Sequence, residues 1–407
     1  MSKRNKSAPG HRIIVSVTLF FFLSFLLVAL PTGSAEGFLR AGAFPCLVLL
    51  SMILLPRLFQ TDHLLTILVI FLNALSVLLC DLLDSSSVPR QAAVCGAGLL
   101  NAILCAGLVR RISWRRAPWL ILPISLLPAA TALLFGFLMK NAGESAGGIP
   151  SVSFLQPAEI GKPALVIAAS WLLSRRKHLF FLLFSVLCLA LLLLDQDFGN
   201  ALLYWGTALL LFWASSGNLL CTLAGLGAGI GIAWYGSRIS PSLQLASAFR
   251  PGQTAVEAGS QMTQEFSAIA EGGLWGTGLR VESSVPGVGN DSLFPVLCQR
   301  FGFLFVFSVL LICAVMILRG SSIAATSRRN FHSLLAMGSV VMLGLQIFAH
   351  TGGALGLIPW LGVPFPFLSG EVVPQIVSMC LTGMILGVHA LQEDYLSEDA
   401  RIAMLDR

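Results

Sequence analysis

Asp291 stands at the end of a glycine-rich polar stretch, Gly272 to Phe303 (GGLWGTGLRVESSVPGVGNDSLFPVLCQRFGF), just before an apolar run. A carboxylate in that position can serve as a general base for a hydroxyl brought to it. It also follows Gly289-Asn290 and precedes a helix, so the same spacing reads as an N-cap. Arg250, Arg280 and Arg300 are the basic residues nearest to it in this part of the chain. A guanidinium fork matches phosphate oxygens. The GGLWGTGL stretch itself is neither a Walker nor a Rossmann pattern. Further acids and bases stand at the ends of other apolar runs. Glu159 and Lys162 are three residues apart and share a helix face. At membrane depth such a pair marks a site or a structural ion pair closing the helix start. Asp195 and Asp197 flank what reads as a tight turn between helices capped by Asp, and Gln346 and His350 are four apart near the end of another run. No second His or Cys stands at ligand spacing, so the sequence assigns no transition-metal site.

The elements that must position these residues are membrane spans. The chain has 407 residues, 56% hydrophobic and only 11% charged, with a mean hydropathy of +0.85. A soluble protein carries about 25% charged residues, so lipid is the solvent here. The net charge of +6 is spread over short loops rather than gathered on one face, which excludes nucleic-acid binding. Apolar runs fall near 12–31, 38–55, 63–84, 91–109, 117–138, 158–174, 178–194, 200–215, 217–235, 295–317, 330–349 and 371–391. The expected fold is all-α, a polytopic membrane bundle of about twelve transmembrane helices with one large extracellular loop. The clusters Lys3-Arg4-Lys6, Arg110-Arg111 with Arg115-Arg116, Arg175-Arg176-Lys177, and Arg319 with Arg328-Arg329 then all fall on one side. The positive-inside rule makes that side cytoplasmic, with both termini. Loops 139–157, 236–294 and 350–370 face out, as does the Asp195–Asp197 turn. Loop 236–294 is too long for a plain connection. Within it, Thr263 to Ala270 is expected to form a short surface helix.

Three other features complete the pattern. The basic start MSKRNKSAPGHR and the run after it resemble a signal peptide, but the run is long and reads as a retained first helix. The nine cysteines sit almost wholly in apolar runs without CxxC spacing, as small hydrophobes do. The stretch Gly356 to Ser369 contains Pro359, Pro364 and Pro366 and cannot be a regular helix. It either walls a lipid-accessible groove or dips into the interface on Trp360 and Phe365.

Five ordered segments resemble the SEDS family (shape, elongation, division and sporulation), the group of FtsW, RodA and SpoVE. Gln156-Pro157-Ala158-Glu159-Ile160-Gly161-Lys162 is similar to the family's QPSEFAK. Asp195-Gln196-Asp197-Phe198-Gly199-Asn200-Ala201-Leu202 is similar to QPDLGTAL. Gly259-Ser260-Gln261 through Gly278 is similar to GYQ…GGLFGKG. Asp291-Ser292-Leu293-Phe294 with Phe301-Gly302-Phe303 is similar to TDFIF…EELGF. Gly356 through Ser369 is similar to GLLPVTGIPLPFIS. The order holds from residue 156 to 369.

The resemblance implies a peptidoglycan glycosyltransferase of the bacterial cytoplasmic membrane. It would polymerise lipid II, an undecaprenyl-pyrophosphate disaccharide peptide, beside a class B penicillin-binding protein. It implies Asp291 as the essential acid and Glu159, Lys162, Asp197, Gln261, Arg280 and Ser369 as substrate-binding candidates. Arg280 and Lys162, or a divalent cation (Mg or Mn), would stabilise the leaving pyrophosphate. The family has ten spans, so the expected division is a basic tail and extra hairpin at 1–56, a SEDS-like membrane domain at 57–392 and a cytoplasmic tail at 393–407. The chain departs from the family in several places. Its Arg-Arg-Trp is absent from residues 144–155 (ESAGGIPSVSFL), His-Thr before the acid is Gly289-Asn290, and Glu-Glu after it is Gln299-Arg300. Tyr-Gly-Gly after Ser369 is Gly370-Glu371-Val372, and His350 stands where Asn is usual. These departures leave two other readings beside the polymerase: an inactive or regulatory member that binds lipid II or a penicillin-binding protein, and a flippase or transporter of the precursor.

Overall fold

The fold was analysed in a computed structural model that describes residues 8–59, 61–83, 85–111, 157–194, 197–239, 257–278, 293–359 and 361–405. Helices fill nearly all of these, and no strand occurs among the described residues. This is the expected all-α bundle, because lipid cannot satisfy backbone N–H and C=O groups and each span must do so within itself.

In chain order the helices are α1 (Ala8–Thr32), α2 (Ala35–Phe59), α3 (His63–Leu83), α4 (Val88–Arg111), α5 (Pro157–Ser174), α6 (His178–Leu194), α7 (Phe198–Ser216), α8 (Leu219–Ile239), α9 (Glu257–Gly272), α10 (Leu293–Thr326), α11 (Asn330–Ala354) and α12 (Val372–Leu405). Eleven of these match the apolar runs read from the sequence, and α9 is the loop helix, longer at both ends than expected. The fifth run, 117–138, lies outside the described residues. Seven of the described helices are long and apolar enough to cross a membrane.

Helix α3 is central and largely buried, with apolar residues all around it and Thr66, Asn73 and Ser76 buried among them. Helices α1 and α2 pack on each other and on α3, and Phe20 of α1 stacks on Phe305 of α10 at 5.9 Å. Helices α6 and α8 turn leucine and phenylalanine outward, as lipid-facing helices do. The tightest pair is α4 with α12. Gly98, Ala102 and Ala106 of α4 face Met379, Gly383 and Gly387 of α12, where any added Cβ would meet the partner backbone or side chain. Small residues four apart let two helices approach closely, which drives association where lipid gives no hydrophobic force.

The two ends of the bundle are closed differently. At one end Arg110 pairs with Asp394 (2.5 Å), Arg319 with Asp62 (2.6 Å) and Arg328 with Asp399 (2.5 Å). Basic residues of α4, of α10 and of the turn after α10 thus meet acids of α12 and of the entry to α3 at a common end. At the opposite end Arg40 of α2 pairs with Asp81 of α3 (2.6 Å), and the polar residues of interest collect there.

Candidate functional site

The Pro-rich stretch after α11 organises the site. Its prolines cannot join a helix ladder, so the chain folds in on itself: residues 363–369 are buried, with left-handed turns at Gly362 (φ 63°) and Phe367 (φ 65°). His350 Nδ1 lies 2.7 Å from the Val363 carbonyl oxygen, and Gln346 Nε2 donates to the Pro364 carbonyl (2.9 Å). Those side chains, four apart on α11, satisfy carbonyls that no helix could. Phe365 is 1% exposed. It stacks on Phe294 of α10 (5.5 Å, 14°), and His350 stands edge-on to both rings. Gln91 of α4 donates to the Ser369 carbonyl (2.9 Å) and to Ser76 Oγ (2.6 Å). Gly199 of α7 sits against the Leu361 carbonyl so closely that a Cβ could not fit, and Gly356 lies on the ring of Phe266 in α9. The stretch is therefore a buried junction of α4, α7, α9, α10 and α11. Phe365 is a core residue, which rules out for it the alternative of an interfacial anchor, while Trp360 lies outside the described residues. An apolar groove of about 360 Å³ occurs elsewhere, between α2, α3 and α4, with Phe44, Asn73 and Cys95 among its lining residues.

Beside this junction, α5 carries an ion pair inside the protein. Lys162 Nζ is 2.5 Å from Glu159 Oε1, and the two residues are 0% and 3% exposed. Glu159 Oε2 is buried with no hydrogen-bond partner among the described residues. Next to the pair, Tyr204 of α7 donates its hydroxyl to the Ala158 carbonyl (2.7 Å). Asp197 caps the start of α7, accepting from Asn200 N (3.1 Å) and Nδ2 (2.8 Å), as its position in the turn suggested.

The glycine-rich segment that leads toward Asp291 is clamped onto α10. Thr277 N donates to the Gln299 carbonyl (2.8 Å), Gly278 N to that of Arg300 (3.1 Å), and Phe303 N to that of Gly273 (2.9 Å). These bonds exist because α10 breaks at Gly302 (φ 78°, ψ 170°), a conformation open essentially to glycine alone. A side chain on Gly276 or Gly302 would strike the backbone of the segment opposite it. Gln299 Nε2 donates to Glu271 Oε2 (2.7 Å). Trp275 at the tip is 82% exposed.

Of the residues selected from the sequence, Glu159, Lys162, Asp197 and Ser369 lie on elements that meet at this end. Gln261 is in α9, with its side chain outside the described residues, as are Asp291, Arg280, Arg250 and Asp195. Gln91, Tyr204 and Phe294 were missed; each is an ordinary residue in an apolar run, and only the partner it meets sets it apart. Among the described residues no group of three or more His, Cys, Asp or Glu could hold a metal ion.

The family profile described as "Cell cycle protein" (FtsW, RodA, SpoVE) matches residues 54–394. A probable peptidoglycan glycosyltransferase FtsW of Alkalilimnicola ehrlichii is 31% identical over 340 residues, 77% of this chain and 80% of that protein. The stage V sporulation protein E of Bacillus subtilis is 25% identical over 318 residues, 74% and 86% of the two chains. In fold, the chain is similar to a solved chain from work on coordination of polymerization and crosslinking by a peptidoglycan synthase complex (TM-score 0.62, 23% identity, 81% of this chain and 97% of that one). It is likewise similar to the rod shape determining protein RodA of Thermus thermophilus (TM-score 0.58, 22% identity, 82% and 98%). A profile that spans all the helices from α3 onward and the buried junction they build makes this multi-pass membrane protein a member of the FtsW/RodA/SpoVE family.

Proposed function

We propose that this protein is a peptidoglycan glycosyltransferase that polymerises lipid II into glycan strands at the outer face of the bacterial cytoplasmic membrane. Its place in the FtsW/RodA/SpoVE family carries the reading: its relatives from Alkalilimnicola and Geobacter are named as probable peptidoglycan glycosyltransferases. The basic-rich end of the bundle is the cytoplasmic one by the positive-inside rule, which puts both termini inside and the buried junction outside.

Asp291 is the general base. It takes the proton from the acceptor sugar hydroxyl as that oxygen attacks the anomeric carbon of the donor, and the donor leaves as undecaprenyl pyrophosphate. The acid stands two residues before Leu293, and two residues of chain reach at most about 7 Å. Leu293 and Phe294 are fixed in the junction, so this anchoring supports a carboxylate held against it. Lys162 is committed to Glu159, so it holds the α5 entry in shape, and Arg280 or a divalent cation (Mg or Mn) balances the leaving pyrophosphate. Asp197, Gln261 and Ser369 line the precursor site, and a class B penicillin-binding protein cross-links the product.

A second reading, a family member that binds the precursor without polymerising it, draws on one observation. The positions after Asp291 that are acidic in the family are Gln299 and Arg300 here, and Gln299 is bonded to Glu271, so the charge near the acid differs. Purified protein with lipid II, with and without a class B penicillin-binding protein, separates the two. Glycan from wild type and none from an equally folded Asp291→Ala variant supports the polymerase; lipid II binding with no product under any partner and metal condition refutes it.

A further inference from the structure

In the interior of the α4–α12 pair, Cys105 and Cys380 bring their sulfurs to 3.2 Å. The two residues are 275 apart in sequence, and both are part-buried free thiols. They flank the small-residue seam on one side. Cys105 is three residues after Ala102, and Cys380 three before Gly383, the two positions that touch most closely. Polar partners surround the contact: Cys105 Sγ donates to Asn101 Oδ1 (3.8 Å), either sulfur can donate in the Cys105–Cys380 contact, and Asn101 Nδ2 donates to the Ile376 carbonyl (3.3 Å). Leu100, Leu104 and Leu108, beside Cys105 on α4, are exposed to the lipid side. A hydrophobic oxidant in the bilayer can therefore approach, while water-borne reagents meet apolar surface first.

We propose that Cys105 and Cys380 form a reversible intramembrane disulfide that locks α4 to α12, with a lipid-soluble quinone as the oxidant. The two S–H bonds break, one S–S bond forms, and the two electrons and two protons reduce the quinone to its hydroquinone. The sulfurs close from contact to about 2.05 Å, a movement of roughly 1 Å that side-chain rotation and a slight helix shift supply. No other element has to move, because the seam already holds the backbones together. The lock acts on the helices that carry the floor of the outer junction. Gln91 of α4 bonds the Ser369 carbonyl (2.9 Å), and Gln375 of α12 bonds Asn73 of α3. Oxidation thus fixes the spacing of α4 and α12 beneath that junction.

The test uses the full chain in lipid nanodiscs treated with a short-tailed, fully ring-substituted benzoquinone, whose ring carbons carry no position for thiol addition. Free thiols are blocked with N-ethylmaleimide, and the digest is read by mass spectrometry. The expected product is a linked peptide pair joining residues 105 and 380, lighter by two hydrogens, cleaved by dithiothreitol and lost in Cys105→Ser and in Cys380→Ser. Cys188→Ser keeps it. Oxidised wild type also unfolds at a higher dodecyl sulfate fraction than reduced, and reductant reverses the shift. Alkylation of both thiols after quinone treatment overturns the proposal, as does random linkage among the other cysteines. The wild-type readout decides even if a serine variant fails to fold.

Discussion

Replacing Lys162 by Met tests whether the Glu159–Lys162 pair is sealed in the protein or open to water. The ammonium is 2.5 Å from Glu159 Oε1 and fully buried. Removing one partner of a buried pair costs about 3–5 kcal/mol, because the remaining charge is uncompensated. The expected loss for Lys162→Met is therefore about 3–5 kcal/mol. The double variant Glu159→Gln/Lys162→Met removes both charges at similar volume and recovers most of the stability. Equilibrium unfolding in dodecyl sulfate mixtures, followed by tryptophan fluorescence, measures wild type, Lys162→Met, Glu159→Gln and the double variant, the four corners of the cycle. A Lys162→Met loss below about 1 kcal/mol refutes a sealed pair and makes the site water-filled. A stable double variant that no longer makes glycan would assign the charges to the reaction, and a stable active one to structure alone.

Gly302→Ala forces a side chain into a positive-φ kink against the Gly276 and Trp275 backbone. The expected result is a loss above about 3 kcal/mol or failure to fold, read as lost expression in membranes, while Gly278→Ala, where a Cβ meets nothing within 4 Å, has a smaller effect. Asp62, at the entry to α3, has its carboxyl pKa below the ordinary value of 3.8. Burial pushes it up, but this is outweighed by bonds from Arg319 and the Leu65 amide and by the charges of Arg319 and His389. Its stabilisation is therefore present above pH 3.8 and lost as pH falls through the lower folded value. The stability gap between wild type and Asp62→Asn should persist at about pH 5 and close only below about pH 4. Gly383→Leu wedges α4 from α12 against the Ala102 backbone. It should lower the dodecyl sulfate midpoint by more than the same change at Gly227, which faces open space. Chelation with EDTA followed by Mg or Mn add-back tests the divalent cation. Lost and restored polymerisation supports it, and an unchanged rate leaves Arg280 as the countercharge.

The sequence by itself determined the bundle. Every apolar run that the structure describes is a helix, because lipid leaves each span no partner but its own backbone. Local capping was legible for the same reason: Asp197 bonds three residues ahead, and a turn's chemistry lies within the turn. The five ordered motifs marked the end of the molecule where Glu159, Asp197 and Ser369 gather. What the sequence could not decide was which distant groups satisfy one another. The Pro-rich stretch had to be hidden or to line a cavity, but its carbonyl partners, Gln346, His350 and Gln91, come from two different helices. The break at Gly302 stands inside what reads as one span, 295–317, and is fixed only by the Gly273–Gly278 segment laid across it. Cys105 and Cys380 looked like two more small hydrophobes, and only the close approach of α4 and α12 puts their sulfurs in contact. Helix formation is local and follows from the solvent; pairing between helices depends on which shapes fit, and that is decided only in the packed bundle.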